Sequence, residues 1–85
     1  MTVHIEERAQ KQLRKLPKHI QQKTCRQLEV FLDNPKHPSL AIKEMMHSPL
    51  YEARIDYHYR FRFLWETEAI SIVSIGIHDT GLGKQ

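Results

Sequence analysis

Residues 51–65 read YEARIDYHYRFRFLW. Taken in steps of two, Tyr59, Phe61, Phe63 and Trp65 fall on one side, and Arg60 and Arg62 on the other. The residues before them do the same, with Tyr51, Ala53, Ile55 and Tyr57 alternating with Glu52, Arg54, Asp56 and His58. Successive side chains leave opposite faces of a pleated strand, so strict alternation predicts a half-buried antiparallel pair. One face is then an aromatic core. The other gathers arginine and histidine, residue types that hold phosphate and carry protons.

A hairpin turning at Asp56-Tyr57-His58 sets Arg54 opposite Arg60 and Glu52 opposite Arg62. The loop must hold an odd number of residues, because an even one would pair the polar face with the aromatic face. Two arginines about 5 Å apart at Cβ repel unless an anion lies between them. Two readings are open. Either the pair is a phosphate or carboxylate site, or Glu52 and Asp56 neutralise it in a surface ion-pair lattice of little energetic weight.

Beyond a second turn near Thr67-Glu68 the phase slips. Ile70 and Ile72 share one parity, and Val73, Ile75 and Ile77 the other. The last strand is therefore covered on both faces or interrupted by a bulge. A regular strand sets His78 on the aromatic side; a bulge sets it with the arginines.

Working back toward the N-terminus, Ala9, Leu13 and Leu16 fall on one helical face, with Glu6 and Glu7 early and Arg14 and Lys15 late, as the helix dipole favours. Pro17 closes that helix and can open the next. The second helix carries a stripe of Ile20, Thr24, Leu28, Phe31 and Leu32, with Cys25 beside it as a small core residue, and ends at Asn34-Pro35. Thr2–Ile5 alternates weakly, as a short edge strand would. In the proline-rich segment 35–50, Leu40 to Met46 suits a strand or a helical turn, with Met45 and Met46 plugging the core edge. Residues 81–85 read as a frayed tail. Both helical stripes need a flat apolar partner, and the aromatic sheet face is the only one large enough. The expected fold is α+β: an N-terminal helix hairpin packed on one face of a small antiparallel β-sheet.

Eighty-five residues suit one small domain, residues 1–85. A single cysteine forms no internal disulfide, and the six histidines have no zinc-like spacing, so neither metal nor cofactor is expected. The N-terminus has no apolar run and no stretch reaches the length of a membrane span, so no signal peptide, no membrane partner and a cytoplasmic location are expected. The net charge of +3 is unevenly spread. Residues 1–43 hold nine Lys/Arg against four Asp/Glu, and residues 44–85 hold four against six. A basic half attracts RNA or an acidic protein.

The order of elements, with Tyr51-x-x-Arg54-Ile55, Tyr59-Arg60-Phe61-Arg62-Phe63 and a closing Ile75-Gly76-x-His78-Asp79, resembles the RelE/ParE superfamily of type II toxin–antitoxin toxins over nearly the whole chain. The resemblance implies a toxin held by a cognate antitoxin. It further implies a ribosome-dependent endoribonuclease that cuts mRNA without metal; ParE-like relatives instead imply gyrase inhibition, and a catalytically weak toxin would chiefly bind its antitoxin. By position, Arg54 and Arg60 match basic residues around the scissile phosphate, and His78 matches a general acid of YoeB-like members. Lys43 resembles the lysine before the second strand, and Arg62 and His58 complete the phosphate-binding set. Glu52 stands where RelE-type enzymes carry lysine, and Asp79-Thr80-Gly81-Leu82 follows His78 where a tyrosine is often found. Cleavage would need Arg54 and Arg60 on the phosphate, His78 as acid and Glu52 or Glu44 as base.

Overall fold

The computed structural model describes residues 1–77. The alternating stretch forms β3 (Tyr51–Arg54) and β4 (Tyr59–Trp65), and the chain returns as β5 (Ala69–Ile77). Ahead of them lie β1 (Thr2–Ile5), α1 (Glu7–Arg14), α2 (Lys18–Asp33), a 3-10 turn at Pro38–Leu40 and the two-residue strand β2 (Lys43–Glu44). The five strands make one sheet in the order β1-β5-β4-β3-β2. Strands β2 to β5 are antiparallel throughout, and β1 joins the far side of β5 in parallel. The expected α+β arrangement is present, but the sheet is mixed rather than antiparallel throughout, because the weakly alternating N-terminus joins it as a parallel edge strand.

Register follows the pleat. Tyr51 pairs with Phe63 and Ala53 with Phe61, while Glu52 pairs with Arg62 and Arg54 with Arg60. Between β4 and β5, Arg62 pairs with Ser74 but Phe63 pairs with Ile72, so Val73 is an extra residue. Of the two alternatives left by the phase slip, a strand covered on both faces or a bulge, the structure has the bulge. It turns Ile70 and Ile72 before it and Ile75 after it to the same side, and all three are buried. The Ile75 amide, beyond the last β1 pairing at Ile72, donates to Gln12 Oε1 of α1 at 2.8 Å. A helix side chain thus satisfies a strand amide that would otherwise be stranded in the interior.

The apolar sheet face is covered by the helices. Phe31 of α2 meets Phe63 edge to face, with centroids 5.4 Å apart and planes at 82°. Ala9, Ile20, Phe31, Phe61 and Phe63 are fully or almost fully buried in one cluster. Thr24, also buried, donates its hydroxyl to the Ile20 carbonyl at 2.8 Å, which removes the cost of burying it.

Four expectations need correction. Cys25 is exposed, because the buried stripe of α2 runs through Ile20, Thr24 and Phe31, and position 25 lies one residue off it. Leu32 lies beyond the same stripe and is 47% exposed. Met46 is 86% exposed in the β2–β3 turn, since β2 is too short to carry it back over the core; Met45 is half-buried. Tyr57 leaves the aromatic row because it belongs to the β3–β4 turn.

These burial assignments make a contrast that unfolding experiments can measure. Phe31→Ala is expected to cost about 3–5 kcal/mol, a large share of the stability of so small a domain. Cys25→Ser is expected to change stability by less than about 0.5 kcal/mol. Urea unfolding followed by circular dichroism checks both.

Candidate anion-binding face of the sheet

On the face away from the helices, cross-strand pairing arranges the polar side chains in two rows. The first runs Lys43–Glu52–Arg62–Ser74 across β2, β3, β4 and β5. The second runs Arg54–Arg60–Gly76 across β3, β4 and β5. The two rows differ in charge.

In the first row Glu52 is only 4% exposed and lies between two cations. Arg62 Nε donates to its Oε2 at 3.2 Å, and Lys43 Nζ stands 3.7 Å from its Oε1. A carboxylate this buried needs such partners, because an isolated charge would be heavily penalised. The ion-pair lattice considered for this face is therefore real for Glu52, Arg62 and Lys43. Among the described residues no salt bridge carries it on to Arg54 or Arg60, although Glu52 and Asp56 act on Arg60 electrostatically.

Arg54 is exposed and forms no salt bridge among the described residues. Arg60, directly opposite, is half-buried and bends back over the hairpin turn. Its Nη1 donates to the carbonyls of Asp56, Tyr57 at 3.3 Å and Tyr59 at 2.9 Å. One nitrogen is thus anchored to the backbone. Its Nε and Nη2 make no hydrogen bond to another described residue. Burial first, and the nearby Arg54 second, hold the Arg60 pKa below the ordinary guanidinium value; Glu52 and Asp56 pull it back up, and Arg62 lowers it further. An arginine stays protonated under such a shift, so an anion, rather than proton loss, would offset the repulsion from Arg54.

Space for an anion is present. Gly76 pairs with Arg60, and a Cβ built on it would meet no atom within 4 Å. Beside this open ground lies a cleft of about 630 Å³ lined by Lys43, Glu44, Met45, Met46, Glu52, Arg62 and Ile77. Its floor is charged. Its rim is apolar: Met46 is 86% and Ile77 66% exposed.

The turn that brings the arginines together is organised by Asp56. Its Oδ1 accepts from the His58 and Tyr59 amides, each at 2.9 Å, and its Oδ2 lies 4.0 Å from Lys23 Nζ of α2. His58 is exposed in that turn, its ring edge-on to Tyr57 at 4.9 Å. His78 lies outside the described residues. The sequence reading joined Asp56 to the arginines as a possible counter-charge; its more evident work is to cap the turn, and an aspartate two residues before a turn amide is a recognisable signal for that. Among the described residues no group of three or more His, Cys, Asp and Glu side chains is set to hold a metal ion, and no helix is long and apolar enough to cross a membrane.

The fold is similar to that of solved RelE-like toxins. The chain overlays the RelE–RelB complex of Pyrococcus horikoshii OT3 with a TM-score of 0.75 at 20% identity, covering 94% of this chain and 97% of the other. A YoeB/ParE toxin from Agrobacterium tumefaciens gives 0.76 at 9% identity over 92% and 99% of the two chains. The isolated RelE toxin of E. coli gives 0.72 at 22% identity over 94% and 86%. No family model matches the sequence, and no curated protein does either. The likeness is therefore one of fold.

The unneutralised pair has a measurable consequence. Arg54→Gln removes one of two facing like charges and is expected to raise stability by about 0.2–1 kcal/mol at low salt. The gain should shrink as salt screens the exposed partner. Thermal unfolding at low and high ionic strength checks this, and added phosphate should stabilise the parent more than the variant.

Proposed function

We propose that this protein is the toxin of a type II toxin–antitoxin system and that it cleaves mRNA on the ribosome. The single observation that carries the reading is the Arg54–Arg60 pair, two facing arginines that form no salt bridge among the described residues. A pentavalent phosphate is the anion such a pair suits, because planar guanidinium forks bond two oxygens each and remain charged. Anchoring Arg60 through one nitrogen orients it before substrate arrives, which is how charge stabilisation becomes effective in catalysis. The similar fold of RelE, YoeB and YafQ toxins supports the toxin assignment.

Internal attack by a ribose 2′-hydroxyl needs a base and an acid besides this positive charge. His78 is assigned the acid, since imidazole titrates near neutral pH. Of the two carboxylates considered as base, Glu44 suits the role better, because both oxygens of Glu52 face cations. Lys43 and Arg62, held by Glu52, and His58 in the turn extend the positive surface along the RNA. The site is assigned no metal and no cofactor, and the protein a cytoplasmic location.

Expression of the chain alone should arrest translation, and primer extension on a reporter message should reveal new 5′ ends within ribosome-bound mRNA. Arg60→Ala and His78→Ala should each lower cleavage by about 10²–10⁴-fold without unfolding the protein. Arrest with intact mRNA and trapped gyrase–DNA complexes would establish the ParE-like alternative. A folded chain that arrests nothing would be a toxin reduced to antitoxin binding.

The antitoxin is assigned to the cleft whose charged floor carries an apolar rim, where an acidic, amphipathic segment can order itself on binding. Solved RelE–RelB complexes include those of E. coli and Methanococcus jannaschii, which supports a partner of this kind. Met46→Asp should weaken antitoxin binding by about tenfold or more while leaving the thermal midpoint unchanged, because Met46 is almost fully exposed in the free chain. Isothermal titration beside thermal unfolding tests this.

A further inference from the structure

A second cationic cleft lies on the other side of Arg54. It has a volume of about 370 Å³ and is walled by Lys23 and Arg26 of α2 and by Arg54 and Asp56 of the hairpin, with Gln27 and Ser39 across it. Gln27 Nε2 donates to the Arg54 carbonyl at 2.9 Å and the Ser39 carbonyl at 3.3 Å, so helix, strand end and 3-10 turn are tied together around the cavity. Three cations and one carboxylate line it, and among the described residues the carboxylate's one salt bridge is to Lys23, at 4.0 Å. Arg26 and Arg54 form no salt bridge among the described residues.

Arg54 belongs to both sites. It links the Arg60 side of the sheet to the cleft beside α2, whose wall also carries the Asp56 carboxylate. Strand β2 pairs only with Glu52 and Tyr51, which leaves the Arg54 end of the edge open.

We propose that the Lys23–Arg26–Arg54 cleft binds the sugar–phosphate backbone of RNA next to the phosphate held at Arg54 and Arg60, extending the proposed site from one phosphate to several. The proposal rests on the RNA-cleaving reading above and names a further part of its substrate path. Its chemistry differs from that of the antitoxin cleft. The only large apolar residue in its wall, Ile55, is 5% exposed, so the apolar surface there comes chiefly from the stems of Lys23, Arg26, Gln27 and Arg54, and no apolar side chain is open to anchor an amphipathic peptide. A phosphate backbone needs none, because its affinity comes from charge neutralisation and counterion release.

Binding is measured with uncleavable 2′-O-methyl RNA, a trinucleotide and a nonanucleotide, on the parent chain, on Arg26→Ala and on Lys23→Ala/Arg26→Ala. The double variant should bind the nonanucleotide about tenfold more weakly and bind the trinucleotide as the parent does. Its plot of log affinity against log salt should be shallower by about 1.4, at roughly 0.7 per lost phosphate contact on a single strand. Arg26→Ala keeps the Lys23–Asp56 contact and should show about half of that change in slope, which separates a lost phosphate contact from a disturbed turn. Equal nonanucleotide affinity in parent and double variant overturns the proposal. A double variant that loses affinity for decaglutamate but not for RNA overturns it too, and makes the cleft an acidic-peptide site. If the parent binds neither RNA, or binds both as the variants do, the cleft assignment falls; the RNA-cleaving reading falls separately, if primer extension finds no new 5′ ends in ribosome-bound mRNA.

Discussion

The turn at Asp56 is the constraint on which the rest of the molecule depends. Its carboxylate accepts two backbone amides, those of His58 and Tyr59, and the Ile55 amide closes the loop on the Tyr59 carbonyl at 2.9 Å. Three loop residues follow from this, and the register of β3 against β4 follows from the three. A slip of one residue would turn Phe61 and Phe63 to solvent and both arginines into the core. The same turn then receives Arg60, whose Nη1 closes over its carbonyls. Core packing and the anion-binding face are thus two consequences of one hairpin geometry.

The hairpin alone does not explain why one row of the polar face is neutralised and the other is not. Glu52 sits inside the sheet, with β2 on one side and β4 on the other, and so meets a cation from each. Arg54 and Arg60 lie one pleat further along, where β2 has ended and β5 offers only Gly76. Sheet topology therefore concentrates unbalanced charge at the turn end of the face. Stability is given up there, since facing guanidiniums repel, and the deficit is of the kind expected where a ligand supplies the missing charge.

Two clefts flank this charge, and their chemistries differ. One has an apolar rim at Met46 and Ile77 over an ion-paired floor; the other is walled mainly by cationic and polar side chains, of which Arg26 and Arg54 form no salt bridge among the described residues. On the readings proposed above, a protein partner and a nucleic acid would use neighbouring but different surfaces, with Arg54 between the second cleft and the arginine pair. On the proposed reading, an antitoxin seated in the first cleft would restrain the protein by covering ground beside the arginines rather than by copying its substrate.

Alternation in residues 51–65 was enough to determine the hairpin, its odd loop, the facing arginines and the aromatic core, because strand pairing is a local rule with a period of two. The stripes of α1 and α2 were legible for the same reason, and the broken phase at Val73 announced the bulge. The sequence could not reveal which residues at the stripe margins stay wet, so Cys25, Leu32 and Met46 were read as more buried than they are. It also left open whether Glu52 and Asp56 neutralise the arginines. Those outcomes depend on where β2 stops and on which side of α2 lies beside the open end of β3. Lys23, Arg26 and Gln27 join the site only through that placement. Contacts between residues distant in the chain are set by packing of whole elements, and only the tertiary structure decides them.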